Sequence, residues 1–343
     1  MPSNNCVIYK AILESGYPKI GEHIEFVNRE IDIENFLLHE GDILVKNQYL
    51  SLDPYMRGKL RNPEIKSYTP SFELGKVLDG RGIGTVVKSK NVEYQVGDYY
   101  IGVIGWEEYT HLSENTLKTS SMKVLAEEVS KSTAPKSYFL GLLGMPGLSA
   151  YIGLNNIGKP KKGETIFISV SAVGQVVGQI AKIKGLRVIG SAGDDSKINY
   201  LLNELKFDDA FNYKTCDVDK KLSELCPNGI DIYFDNVGGE ILDIVLTHLN
   251  IYARIVACGM ISQYNTKTPY GVKNLMCIIP KRILFQGFIV IDHYDEMNSF
   301  LKEMGEWFKQ GKLIYKEYII EGIQNAPEGL LNVLTGKNFG KAI

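Results

Sequence analysis

Between residues 165 and 290, short apolar runs alternate with stretches of helix length. The runs are TIFIS (165–169), RVIGSA (187–192), DAFNY (209–213), IDIYFDNV (230–237), ARIVACG (253–259) and ILFQGFIV (283–290). Most are continuous rather than alternating, as expected for strands covered by helices on both faces. Residues 173–185, 195–206 and 239–249 are long enough to be crossover helices. Six such strands with right-handed crossovers predict one doubly wound parallel sheet. The first 120 residues are patterned differently. Runs such as DILVKNQYLSL (42–52) and GIGTVVKS (82–89) sit among glycines and turn residues, which predicts an all-β region with many loops. Residues 298–312 place Phe300, Met304 and Phe308 on one helical face. The expected fold is α/β, with a β-rich domain over 1–125 and 300–343 and a six-stranded Rossmann domain over 126–299. A crevice between two such domains is a natural ligand site.

Composition narrows the class. The 343 residues are 44% apolar and 23% charged, with a net charge of −2, as in an ordinary soluble globular protein. A nucleic-acid binder needs a basic surface, and this balance does not provide one. The start, MPSNNCVIYK, lacks the apolar stretch of a signal peptide, and no run approaches the ~20 apolar residues of a membrane span. The five cysteines are Cys6, Cys216, Cys226, Cys258 and Cys277, an odd number without a C-x-x-C, which fits a reducing, cytoplasmic compartment.

The first strand of the Rossmann pattern runs into VSAVGQVVG (170–178), a small-residue turn opening a helix. Gly174 can let the backbone approach a phosphate, and Gly178 sits one turn on, where a helix packs closely on its strand. The helix N-terminus adds free N–H groups and partial positive charge. The strands before and after this turn favour a dinucleotide site over a merely structural turn. The second strand ends in GSAGDDSK (190–197). Ser191, Ala192 and Gly193 leave room for a 2′-phosphate, and Lys197 adds a positive charge. Asp194 stands where an NAD-binding acid would, and Asp194 or Asp195 could equally cap the next helix.

A catalytic zinc needs three protein ligands, and a structural zinc needs a tight cysteine cluster. The five histidines (His23, His39, His111, His248 and His293) are scattered and the β-rich region holds one cysteine, so no metal is expected. A carbonyl would then be polarised by hydrogen bonds, with one of the 20 tyrosines as the natural donor.

Six ordered motifs carry a family resemblance: QYLSLDPYMRG (48–58), GMPGLSAYIGL (144–154), FDNVGGEILD (234–243), ACGMISQYN (257–265), YKEYIIEG (315–322) and GKNFGK (336–341). The chain resembles the zinc-independent medium-chain dehydrogenases/reductases, in the leukotriene dehydrogenase/prostaglandin reductase and alkenal double-bond reductase group. The resemblance covers nearly the whole chain. It implies a GroES-like β-rich domain and a cytoplasmic enzyme, commonly a homodimer. It also implies NADPH-dependent reduction of the carbon–carbon double bond of α,β-unsaturated aldehydes and ketones.

By the same resemblance, Ser171, Val173 and Gly174 form the phosphate turn, Lys197 meets the 2′-phosphate and Tyr213 lies on the adenosine side. Asn236 and the CGMISQY segment (Cys258, Gly259, Ile261 and Ser262) resemble the nicotinamide-ribose wall. Phe288 and Val290 resemble nicotinamide contacts, and Asn338 a C-terminal cofactor contact. Tyr264 resembles the tyrosine near the ribose and substrate oxygen, and Tyr55 a pocket-lining residue. The family turn commonly reads A-A-x-G-x-V-G. Here it is about two residues shorter, with Ser171 where glycine is usual, so strain at Ser171 and weaker pyrophosphate binding are expected.

The implied mechanism is hydride transfer to the β-carbon, with charge developing on the carbonyl oxygen and a donor hydroxyl, from Tyr264 or a ribose it orients, meeting it. Two alternatives stand beside it: a quinone reductase on the same fold, and a nucleotide-binding protein without catalysis.

Overall fold

The computed structural model describes residues 2–120 and 122–343. Residue 1, where the expected first domain begins, lies outside them. The chain forms two compact units, one running to Leu140 and resumed by Glu317–Ile343, the other Gly141–Lys316.

In the first unit, β1 (Cys6–Tyr9) pairs antiparallel with β2 (Ile24–Val27). Strands β3 (Ile43–Leu50), β4 (Asp79–Ser89), β5 (Tyr99–Gly105) and β6 (Tyr109–Leu112) make an antiparallel sheet in the order β5-β4-β3-β6. This curled sheet is GroES-like. Register shifts between Leu44 and Val45 and between Asn47 and Tyr49 break the β3–β4 ladder and bend it. Helices α1 (Met56–Lys59), α2 (Glu114–Ser120) and α3 (Lys123–Lys131) lie between or after these strands, and α3 packs along β5.

The second unit opens with α4 (Met145–Ile152), which continues as a π-helical turn over Gly153–Gly158. The parallel strands follow: β7 (Thr165–Ser169), β8 (Arg187–Ala192), β9 (Asp209–Asn212), β10 (Ile230–Asp235), β11 (Leu249–Ala257) and β12 (Leu284–Gly287). They are separated by α5 (Gly174–Ile183), α6 (Asp195–Asn203), α7 (Val218–Leu225), α8 (Gly239–His248) and α9 (Ile278–Lys281). The sheet order is β12-β11-β10-β7-β8-β9, a six-stranded Rossmann sheet as the apolar runs predict. Inside it Phe167 stacks on Phe211 and Tyr233, with ring centroids 5.8 and 5.4 Å apart. The chain order reverses between β7 and β10, which makes the carboxyl ends of these strands the topological switch point.

One packing expectation is corrected. Gly178 does not clear space for its strand. A Cβ there would stand 2.0 Å from the Phe207 ring, and a Cβ on Gly190 of β8 would stand 2.9 Å from the same ring. Phe207 is therefore the wedge between α5 and the sheet.

Helix α10 (Met297–Lys309) buries Phe300 and Met304, and Phe300 meets Tyr151 of α4 edge-on at 5.7 Å. The Tyr151 hydroxyl also donates to Glu303 (2.7 Å). These contacts keep α10 in the second unit, so the divide falls at 316/317 rather than 299/300. Residues 313–316 then run extended with no partner strand. Two buried glutamines of α5 supply the missing partners. Gln179 donates to the Ile314 carbonyl (2.8 Å) and accepts its N–H (2.9 Å), and Gln175 does the same for Lys316 (3.3 and 3.0 Å).

Back in the first unit, β13 (Glu317–Tyr318) and β14 (Lys341–Ala342) pair in parallel around α11 (Ala326–Thr335). Leu330 and Val333 of α11 pack with Tyr9, Met56, Phe72 and Trp106. No helix among the described residues is long and apolar enough to cross a membrane.

Candidate active site

The turn after β7 is wound differently from expectation. Ser171 is not in the left-handed region, and so carries no strain of that kind. Its carbonyl accepts the Gln175 N–H (3.1 Å) and its hydroxyl accepts the Gly174 N–H (3.1 Å). Ser171 thus ties down the turn ahead of the helix through its own side chain and carbonyl, without a positive φ. The N–H groups of Ser171, Ala172 and Val173 have no partner among the described residues, and Ser171 is exposed. A Cβ on Gly174 would crowd Ile168 at 3.1 Å and the Ser169 carbonyl at 3.3 Å, so glycine lets the helix start close against β7. Unpaired N–H groups at a helix start fit an anion such as a pyrophosphate.

At the ends of β8 and β9, the two options for Asp194 are separated. Asp194 caps α6, accepting from the Ser196 N–H (2.9 Å) and hydroxyl (2.5 Å). Asp195 accepts from the Asn212 amide (2.7 Å). Lys197, one turn into α6, is half-buried. Burial lowers its pKa, the nearby Asp194 charge raises it and the Lys214 charge lowers it. Tyr213 follows β9, is 38% exposed, and donates its N–H to the Ala192 carbonyl (3.1 Å). A Cβ on Gly193 would meet the Lys214 side chain at 2.8 Å and the Tyr213 hydroxyl at 2.9 Å. Here the residues also fit a phosphate group: donors surround a position that admits no side chain.

The ends of β10 and β11 are tied together by backbone bonds. Cys258 and Gly259 donate to the Asp235 carbonyl (2.9 and 3.1 Å), Ile261 to that of Asn236 (3.2 Å), and Ser262 to that of Val237 (3.2 Å). Asn236 is itself fixed to β7. Its N–H donates to the Ser169 hydroxyl (2.9 Å) and its amide to the Ser169 carbonyl (2.8 Å). Beneath lies Asp235, fully buried. One carboxylate oxygen accepts from the Tyr233 hydroxyl and the N–H groups of Val237 and Gly238 (2.8, 2.9 and 2.8 Å), and the other is buried without a partner. Burial raises the Asp235 pKa against those three bonds. Burial and the Asp235 charge push the Cys258 thiol up to about 12.

Tyr264 closes this group. Its hydroxyl accepts the Met260 N–H (3.1 Å), which orients the oxygen and leaves its own proton to donate elsewhere. Burial raises its pKa, the Met260 bond opposes this, and Cys258 and Asp235 add to the rise. The phenol is therefore protonated at neutral pH. After β12, the Phe288 ring stands edge-on to His293 (6.5 Å), and Val290 begins a 3-10 turn.

Tyr55 and Asn338 belong to the first unit. Tyr55 precedes α1, and burial raises its pKa, with the Asp53 charge adding to the effect. Asn338 donates to the Gly340 carbonyl (2.7 Å). The loop carrying Tyr55 is anchored by a lysine that motif reading did not single out. The buried Lys341 ammonium donates to the Leu52 and Ala342 carbonyls (2.9 and 2.7 Å) and pairs with Asp53 (3.3 Å). Asp235, Asn212 and Lys214 were likewise missed, although FDNVGG and FNYK both contain the signal.

Residues 25–120 match the family model described as the N-terminal domain of oxidoreductase, and residues 172–306 that described as zinc-binding dehydrogenase. The NADP(+)-dependent 2-alkenal reductase of Nicotiana tabacum is 43% identical over 99% of this chain and 97% of its own. The chain belongs to the medium-chain dehydrogenases/reductases. Within that family it falls in the prostaglandin reductase and alkenal double-bond reductase group. A zinc-type alcohol dehydrogenase-like protein of Schizosaccharomyces pombe is 46% identical over 100% of this medium-chain reductase and 98% of its own length. The crystal structure of CurA from Vibrio vulnificus in complex with NADPH matches with a TM-score of 0.87 at 38% identity, over 98% of each chain. One matching model is described as zinc-binding. Among the described residues of this reductase, no group of three or more His, Cys, Asp or Glu side chains could hold a metal ion.

Proposed function

We propose that this medium-chain reductase uses NADPH to reduce the carbon–carbon double bond of α,β-unsaturated aldehydes and ketones. The observation that carries this is its likeness, along almost the whole chain, to a 2-alkenal reductase. Bound NADPH supplies a hydride for the β-carbon of the substrate. The Ser171–Gly174 turn would hold the pyrophosphate on its free N–H groups, with Val173 in the turn itself. Lys197 and Tyr213 would hold the adenosine end. Asn236 and the loop of Cys258, Gly259, Ile261 and Ser262 would wall the nicotinamide ribose, with Phe288 and Val290 against the nicotinamide. For Asn338 and Tyr55, the motifs GKNFGK and DPYMR support roles as a cofactor contact and a pocket-lining residue.

The catalytic work of the chain is electrostatic. As the β-carbon is reduced, charge gathers on the substrate carbonyl oxygen. Tyr264, protonated and oriented by Met260, would donate to that oxygen directly or through a ribose hydroxyl. The α-carbon proton would come from solvent or a tyrosine.

A cytoplasmic homodimer is part of the same proposal. Support for the dimer comes from β12, a sheet-edge strand with an exposed Leu284. The exposed Ile251, Tyr252, Met276 and Ile279 belong to the same unit. An open edge with apolar neighbours is a template for pairing with a second copy.

The test is NADPH consumption across enals, enones and quinones, with product analysis. Saturated aldehydes and ketones are the expected products. Turnover of quinones alone would make the enzyme a quinone reductase. NADPH binding without turnover of any acceptor would leave a nucleotide-binding protein.

A further inference from the structure

We propose that Lys214 is a second cation for the ribose 2′-phosphate of NADPH, set beside Lys197 by Asn212. The proposal rests on the placement of Lys197 and Tyr213 given above and adds two residues to it.

The geometry lies in the loops after β8 and β9. Asn212 ends β9 and holds both sides of the gap. Its amide donates to Asp195 at the start of α6 (2.7 Å), and its carbonyl oxygen accepts the Lys214 N–H (3.1 Å). One side chain therefore fixes the spacing between the helix carrying Lys197 and the turn carrying Lys214. Lys214 folds back over Gly193, where its chain and the Tyr213 hydroxyl occupy the place a Cβ would take. Its charge is close enough to Lys197 to oppose protonation there.

The neighbouring acids are turned to other donors. Asp194 accepts twice from Ser196, and Asp195 accepts from Asn212. The N–H groups of Gly193 and Asp194 have no partner among the described residues. The Lys214 side chain, a phenol and two backbone donors thus gather at one glycine, with Lys197 close enough to feel the Lys214 charge. A phosphate monoester, with its three acceptor oxygens and charge near −2, matches this donor set, while a ribose hydroxyl needs no second cation.

The test is calorimetric titration with 2′,5′-ADP and with 5′-ADP, which needs no turnover. Lys214 is exposed, so its variants keep the fold. Lys214→Met should weaken 2′,5′-ADP roughly tenfold and leave 5′-ADP unchanged, and Lys214→Arg should retain most of the affinity. Asn212→Ala should give an intermediate loss confined to the 2′-phosphate ligand. Unchanged binding in Lys214→Met, with a loss in Lys197→Met, would overturn the role of Lys214 and leave the proposed function standing. Failure of the unaltered protein to bind either NADPH or 2′,5′-ADP would overturn both.

Discussion

Tyr264 is the residue on which the chemistry can be tested most directly. Its hydroxyl accepts from Met260 and so has one proton to give. Tyr264→Phe keeps the ring and removes that donor. If the hydroxyl meets charge developing on the substrate, kcat should fall about a hundredfold, with a smaller change in NADPH affinity. A loss in NADPH affinity with kcat preserved would make Tyr264 a ribose anchor. No change in either would make it a packing residue, with Tyr55 next to examine. At this scale the motifs point to the right neighbourhood but not to local geometry. Asp194 has two readings in the sequence because an acid at that spacing suits a ribose and a helix cap equally well. Only the Ser196 bonds separate them. Ser171 was read as strained because glycine is usual there, whereas its φ angle is set by how the turn winds.

Among the elements, the six strands of the second unit were legible because continuous apolar runs record burial on both faces. Their ends were less so. The last run, 283–290, is strand only over Leu284–Gly287, since apolar character does not mark where pairing stops. The strap at 313–316 was not legible. Its partners are glutamines 135 to 141 positions away, and neither pattern nor motif reports a contact that distant. Gln179→Leu would leave the N–H and carbonyl of Ile314 without their partner at a part-buried seam. At ~0.5–1.5 kcal/mol for each lost bond, about 1–3 kcal/mol of stability should be lost in urea unfolding. A loss below ~1 kcal/mol would show that water or a small shift replaces the amide.

At the scale of the whole molecule, the open edge at β12 carries the prediction. The purified protein should sediment as a dimer. Introducing charge there, with Leu284→Lys and Ile279→Asp together, should shift it to a monomer without unfolding it, since both side chains are exposed. A wild-type monomer at micromolar concentration would overturn the dimer. The cysteines of the chain carry one more consequence. All five are free. Burial raises the pKa of Cys6 and Cys216, and lifts Cys226 to about 11 and Cys258 to about 12. Sulfur attacks an electron-poor alkene as thiolate, and at pH 7 a thiol with a pKa near 12 is ionised in only about one molecule in 10⁵. Unsaturated aldehydes are alkylating agents as well as hydride acceptors. The raised pKa of Cys258 beside Asp235 therefore keeps this one thiol slow to be alkylated by the compounds the enzyme is proposed to consume.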